Sequence, residues 1–180
     1  MKTVAAFLRG INVSGQKKIK MAELKLLLEQ EGFTNVRTYI QSGNMVFDYH
    51  NDAIQKIGRQ IIDLILREYG FMVSVVIMTP EKLKLIWDGN PFMDIEEKRQ
   101  LYFALLNDPP EPSILEEFKK KEFTGEDFYA TEQCVYLHCK NGAGKAVLNN
   151  NKIENLLKVT ATTRNWNTMK KVIDLVRSNG

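Results

Sequence analysis

The sequence has few of the residues that build metal centres, disulfide frameworks or membrane spans. It contains two cysteines, Cys134 and Cys139, and two histidines in 180 residues. The spacing of the cysteines puts them on opposite faces of a strand, so we expect no disulfide between them and no metal cluster. No apolar run approaches the ~20 residues that a membrane-spanning helix requires. We therefore expect no metal, no cofactor and no membrane partner.

The common catalytic motifs are missing as well. The chain has no HExxH metalloprotease motif and no GxSxG nucleophile motif. Gly10 and Gly15 have the glycine spacing of a nucleoside-triphosphate loop, but Gln16 stands where that loop needs lysine. The N-terminal residues reach Arg9 without the apolar core of a secretory signal, which predicts a cytoplasmic protein. These residues predict no particular reaction.

What the sequence does contain is an ordinary globular composition with unevenly placed charge. Hydrophobic residues make up 44% of the chain, which is enough for a packed core. The net charge is only +3. Basic residues outnumber acidic ones in 2–37 and 140–177, whereas acidic residues dominate 81–132. A basic patch attracts anionic ligands, although a solvated surface with uneven charge is the alternative interpretation.

Hydrophobic periodicity predicts the order strand, helix, strand, strand, helix, strand, and predicts it twice. This is the split βαβ pattern of ferredoxin-like domains. We therefore predict an α+β fold with two ferredoxin-like (alpha-beta plait) subdomains plus a C-terminal helix. The predicted boundaries are 1–79 for the first subdomain, 80–98 for a helical connector, and 99–180 for the second subdomain with its C-terminal helix. Asn51 and Asp52 are predicted to cap the second helix.

Three short polar motifs lie where predicted strands end, which is where folds collect binding residues. They span 8–15, 39–44 and 161–168. In the last of them, a helix that begins near Asn165 directs unpaired N–H groups outward, and Arg164 adds a fixed charge. Gly142 to Lys145 forms either an anion-binding loop or a plain connection. The predicted ligand contacts are, in chain order, Arg9, Asn12, Gln41, Ser42, Asn44, Lys145, Arg164, Asn165 and Asn167.

Each motif also has a purely structural interpretation. Asn12 can cap a turn, and Ser42 and Asn44 suit a hairpin turn for backbone reasons. Asn165 can act only as a helix N-cap. Trp166 lies on an apolar helical stripe and is predicted to be a core residue.

The three motifs together resemble those of a bacterial family known as domain-of-unknown-function family 1697. The resemblance extends from Val4 to about Leu175. The family often has glycine at the position of Ser14, and arginine at the position of Lys145, which keeps the charge but loses the planar donor fork. The resemblance implies two alpha-beta-plait subdomains and no established activity.

Three functions are compatible with these residues. The first is a binding protein for an anionic ligand, such as a nucleotide or single-stranded nucleic acid. The second is an enzyme that acts on a small phosphorylated or carboxylated substrate in a cleft between the subdomains, although the sequence shows no evident general base. The third is a structural or protein-interaction role in which the polar motifs only stabilise the fold. The sequence predicts neither the ligand nor the oligomeric state.

Overall fold

The structure is a computed structural model that describes residues 1–13, 15–50 and 54–178. The chain forms two compact units, residues 1–84 with 171–180 and residues 85–170. The predicted cap at residues 51–52 lies outside the described residues. The strands and helices are β1 (Lys2–Leu8), α1 (Met21–Gln30), β2 (Thr34–Tyr39), β3 (Asn44–Tyr49), α2 (Ile54–Tyr69), β4 (Val75–Met78), α3 (Pro80–Asp88), β5 (Leu101–Leu106), α4 (Pro112–Lys119), β6 (Glu126–Ala130), β7 (Cys134–Cys139), α5 (Asn150–Leu157), β8 (Ala161–Asn165) and α6 (Trp166–Arg177).

The first unit is built on an antiparallel sheet of four strands in the order β2-β3-β1-β4. In β1, alternate residues contribute to one core cluster, and helices α1 and α2 contribute their apolar faces to the same cluster. Helix α1 buries Met21, Leu24 and Leu28, a spacing that places all three on one face. The helix ends before Gly32, whose φ of +91° suits a residue without a side chain.

The second unit repeats this arrangement with the order β6-β7-β5-β8. Its helices α4 and α5 and one face of the sheet share a second core cluster, which includes Phe118, Leu137 and Ile153. Both units thus have the strand order of a ferredoxin-like domain, and the predicted α+β fold with a C-terminal helix is confirmed.

Strand β4 is shorter than predicted. The sequence predicts a strand over 72–78, whereas the observed strand begins at Val75. The reason is the length of its neighbour, because β1 ends at Leu8, which pairs with Val75. Residues before Val75 have no β1 residue opposite them, so they form a loop.

The structure bears on the predicted absence of a disulfide, a metal cluster and a membrane span only for the described residues. Cys134 and Cys139 are both free and buried. Burial raises the pKa of the Cys139 thiol to about 11, so it is a protonated and unreactive group at neutral pH. In the described part of the chain, no group of three or more metal-binding side chains occurs. Likewise, none of the described helices is both long and apolar enough to cross a membrane.

Candidate functional site

The loop that connects β1 to α1 is organised around the side chain of Asn12. Its Nδ2 donates to the carbonyl oxygens of Ile19, at 2.9 Å, and Gln41, at 2.6 Å. Its Oδ1 accepts a hydrogen bond from the Ile19 backbone N–H at 2.9 Å. Asn12 itself has a φ of +55°, a conformation that asparagine tolerates better than most residues. The amide therefore closes the loop and ties it to the β2–β3 turn.

The β2–β3 turn, residues 40–43, requires a glycine at its last position. Gly43 has a φ of +79°, and a Cβ placed there would lie 2.6 Å from the Leu8 Cβ and 2.9 Å from the Ile11 Cδ1. The next residue, Asn44, is fully buried and donates from Nδ2 to the Tyr39 carbonyl oxygen and the Ser42 hydroxyl. The motif Ser42-Gly43-Asn44 thus lets the turn pack tightly against the end of β1.

A third loop, between α2 and β4, meets the other two at the same end of the sheet. The Arg9 backbone N–H donates to the Ser74 carbonyl oxygen at 2.9 Å. The Lys17 ammonium donates to the Met72 carbonyl oxygen at 2.8 Å. Gln41 also reaches the start of α1, where its Oε1 accepts from the Met21 N–H at 3.4 Å. We call the surface formed by loop residues 9–13, 15–20, 40–43 and 72–74 the loop surface.

The loop surface carries a concentration of positive charge. Arg9 is partly exposed, and Lys17, Lys18 and Lys20 are all exposed. Lys20 is also the N-cap residue of α1, and its side chain makes no capping hydrogen bond. A cation is unfavourable there, since the N-terminus of a helix is its positive end. The Glu23 carboxylate, 2.9 Å from the Lys20 ammonium, raises the pKa of Lys20 by a direct hydrogen bond. An anion at this surface would offset the remaining positive charge.

The five predicted contacts of the first unit therefore come together, but with different tasks. Asn12 and Asn44 use their amides to hold the loop and the turn. Gln41 is exposed, and Arg9 and Ser42 are partly exposed. The sequence analysis did not select Lys17, Lys18 and Lys20. The signal that could have found them is the run of three lysines within four residues, immediately before a helix.

The predicted contacts of the second unit surround the junction of β8 and α6. Arg164 is only 8% exposed, and its Nη1 donates to the Thr162 hydroxyl at 2.7 Å and the Thr163 carbonyl oxygen at 2.9 Å. Burial lowers the pKa of Arg164 to about 10. Asn165 caps α6, because its Oδ1 accepts from the Thr168 N–H at 2.9 Å. The Asn167 side chain is exposed at the first turn of this helix.

Lys145 lies in a separate part of the second unit. It ends a 3-10 turn, Ala143–Lys145, and is exposed. The turn follows Gly142, whose φ of +82° suits glycine. The loop after this turn is fixed by Glu126, whose carboxylate accepts from the N–H groups of Val147 and Leu148. Glu126 was not predicted to have this role, which follows from its burial and its two backbone partners.

Aromatic residues on ferredoxin-like sheets can stack on bases, but several of those in this chain are buried. Phe47 is completely buried in the first core, and Tyr136 is 2% exposed, with its hydroxyl bonded to the Ile86 carbonyl oxygen at 2.9 Å. Trp166 packs against Trp87 and Phe103, with ring centroids 4.5 Å and 6.2 Å away. The core role predicted for Trp166 is confirmed, and these residues cannot stack on bases from a sheet face.

A family model described as "Protein of unknown function (DUF1697)" matches residues 1–136. The chain belongs to this family. The matched residues of this DUF1697 protein contain the first two polar motifs and end before the third, at 161–168. The fold is similar to that of the conserved bacterial protein SP0830 from Streptococcus pneumoniae, with a TM-score of 0.76 and 21% sequence identity over 98% of this chain and 99% of that chain. No curated protein matches the chain in sequence. Membership of the family therefore supplies a fold and no activity.

Proposed function

We propose that this protein is a cytoplasmic binding protein for an anionic, phosphate-bearing ligand, such as a nucleotide or single-stranded nucleic acid, and that the loop surface of the first unit contacts the phosphate. The observation that carries the proposal is the cluster of Arg9, Lys17, Lys18 and Lys20 on the loop that leads into α1, whose N-cap residue Lys20 makes no capping hydrogen bond with its side chain. Lysine side chains bind phosphate as point charges, and backbone N–H groups at a helix start add donors.

The order of the loop also supports the proposal. A flexible lysine-rich loop would lose conformational entropy on binding, whereas this one is held by the Asn12 and Lys17 hydrogen bonds to neighbouring loops. Lys18 has no hydrogen-bond or ion-pair partner within the described residues, and its ammonium group is accessible. Binding of an anion there breaks no existing ion pair.

A thermal-shift titration with pyrophosphate and with uridine monophosphate tests the proposal. A ligand that binds the folded state at about 100 times its Kd adds about 2.7 kcal/mol of stability and raises the melting temperature. We expect the shift to be lost in Lys18→Gln with Lys20→Gln. Lys25→Gln is the matched control, because Lys25 lies on α1 in an ion pair with Glu29. Equal shifts in both variants would refute a role for the loop surface.

We propose separately that the contacts predicted in the second unit bind an anionic ligand. Lys145 and Asn167 are exposed and accessible to a ligand. Lys145→Gln, tested in the same titration, should leave the shift unchanged when the loop surface alone binds phosphate. Loss of the shift in this variant would support the second-unit contacts instead.

A further inference from the structure

The loop surface contains two exposed pairs that each combine an apolar side chain with an amide. Val13 is 59% exposed and is bridged to Gln16, whose backbone N–H donates to the Val13 carbonyl oxygen at 3.0 Å. Ile40 is 50% exposed and directly precedes the exposed Gln41. The Asn12 amide connects the two loops through the Gln41 carbonyl oxygen. We call Val13/Gln16 and Ile40/Gln41 the two apolar–amide pairs.

The backbone of Ile40 is held in an unfavourable conformation. Its φ is +49°, in the left-handed region that β-branched residues avoid. Glycine or asparagine would occupy this position of the turn without that strain. Strained residues persist where the surrounding structure fixes them, and they cluster at functional sites. The turn therefore presents an isoleucine to solvent where a small polar residue would suit the fold better.

We propose that the loop surface binds single-stranded nucleic acid across at least two consecutive nucleotides, with one apolar–amide pair against each base and the lysines against the intervening phosphates. The inference rests on the proposed function and names its ligand class. Apolar side chains such as isoleucine insert against base faces, and amides hydrogen-bond to base edges. Lys17, Lys18 and Lys20 supply the charge that a phosphate backbone needs.

The composition of the surface favours nucleic acid over a lipid bilayer. An anionic bilayer would also attract the lysines and accept Val13 and Ile40. Gln16 and Gln41 adjoin these apolar side chains, however, and insertion would take the Gln16 amide and the Gln41 Nε2 donor into hydrocarbon, which offers no hydrogen-bond acceptor. A base offers an apolar face and hydrogen-bonding edges together. A single nucleotide is disfavoured because it has one base for two apolar–amide pairs.

Fluorescence anisotropy with a labelled oligouridylate of about ten nucleotides tests the inference, with uridine monophosphate as competitor. We expect the oligonucleotide to bind at least about tenfold more tightly than the mononucleotide, because it can bury both apolar side chains at once. For each phosphate contact, the logarithm of the binding constant should fall by about 0.7 for every tenfold rise in salt concentration. Vesicles of neutral and anionic phospholipid are measured in parallel and should not bind.

Two sets of variants separate the base contacts from the phosphate contacts. Lys18→Gln with Lys20→Gln should reduce the slope of log affinity against log salt by about 1.4. Val13→Ser with Ile40→Ser should weaken binding by about tenfold or more through lost apolar burial and leave that slope unchanged. Leu26→Ser is the matched apolar control, because Leu26 is 59% exposed but lies on α1. Melting curves confirm that each variant is folded.

The possible failures point to different conclusions. Equal affinity for uridine monophosphate and oligouridylate, or an unchanged affinity in the Val13 and Ile40 variant, overturns the polymer inference and leaves phosphate binding intact. No binding of either ligand, with no thermal shift in pyrophosphate, overturns the proposed function itself. Binding to anionic vesicles in place of oligonucleotide shows that the surface serves a membrane and also overturns the inference.

Discussion

Replacement of Gly43 by alanine isolates the close approach that joins the β2–β3 turn to β1. Two separate costs act at this position. The left-handed φ of +79° costs an alanine about 1–2 kcal/mol. The new Cβ would also lie 2.6 Å from the Leu8 Cβ, which moves only with the β1 backbone. Overpacking of this kind costs about 1–3 kcal/mol.

Gly70→Ala provides the matched control for Gly43→Ala. Gly70 has a nearly identical φ of +76°, and a Cβ there would meet nothing within 4 Å. The free energy of unfolding should fall by about 1–2 kcal/mol in Gly70→Ala, from the backbone conformation alone, and by about 2–5 kcal/mol in Gly43→Ala. For a chain of this length, each kcal/mol corresponds to about 2–4 °C in melting temperature.

Urea unfolding followed by far-UV circular dichroism measures both variants. Tryptophan fluorescence is less suitable, because Trp87 and Trp166 both lie in the second unit. Equal losses for Gly43→Ala and Gly70→Ala would show that the turn relaxes away from Leu8. The tight packing deduced for the turn would then be refuted.

Two further changes test charged groups of the second unit. The Asp127 carboxylate accepts from the Lys140 ammonium, which lowers the pKa of Asp127, so its contribution is present above about pH 4 and is lost as pH falls through the folded-state pKa. Asp127→Asn should therefore flatten the stability profile below about pH 4 and cost less than about 1 kcal/mol at neutral pH, because the pair is half exposed. An unchanged acid profile would contradict this. Arg164→Gln should lower stability by about 2 kcal/mol through its lost hydrogen bonds, whereas lost ligand binding with unchanged stability would support the ligand role predicted from the sequence.

The fold was predictable because its signals are local. The apolar positions of α1 follow helical spacing, and β7 is a short, largely apolar run whose six residues are all buried, so both elements can be identified from local sequence. The boundaries of β4 were less predictable, because they depend on where β1 ends. A strand needs a partner, and the partner lies about 70 residues away in the sequence.

The candidate site was only partly predictable because side-chain tasks depend on three-dimensional neighbours. Asn12 and Gln41 were selected as ligand contacts from their position at strand ends. The hydrogen bond from the Asn12 amide to the Gln41 carbonyl oxygen could not be deduced from sequence, since the two residues are 29 positions apart. Glu126 gave no sequence signal for the same reason, as its backbone partners lie 21 and 22 residues away.

In the first unit, some residues of the polar motifs hold the backbone in place and others are exposed to solvent. A motif residue that bonds to the backbone of another loop fixes geometry, and its replacement should lower stability before it lowers affinity. Asn12, Gly43 and Asn44 are of this kind. Exposed polar residues of the loop surface include Gln16, Lys18, Lys20 and Gln41, and of these four only Gln41 belongs to the predicted contact set. The motifs therefore identify the scaffold that positions the loop surface, and we propose that the lysines, together with Val13 and Ile40, determine what that surface binds.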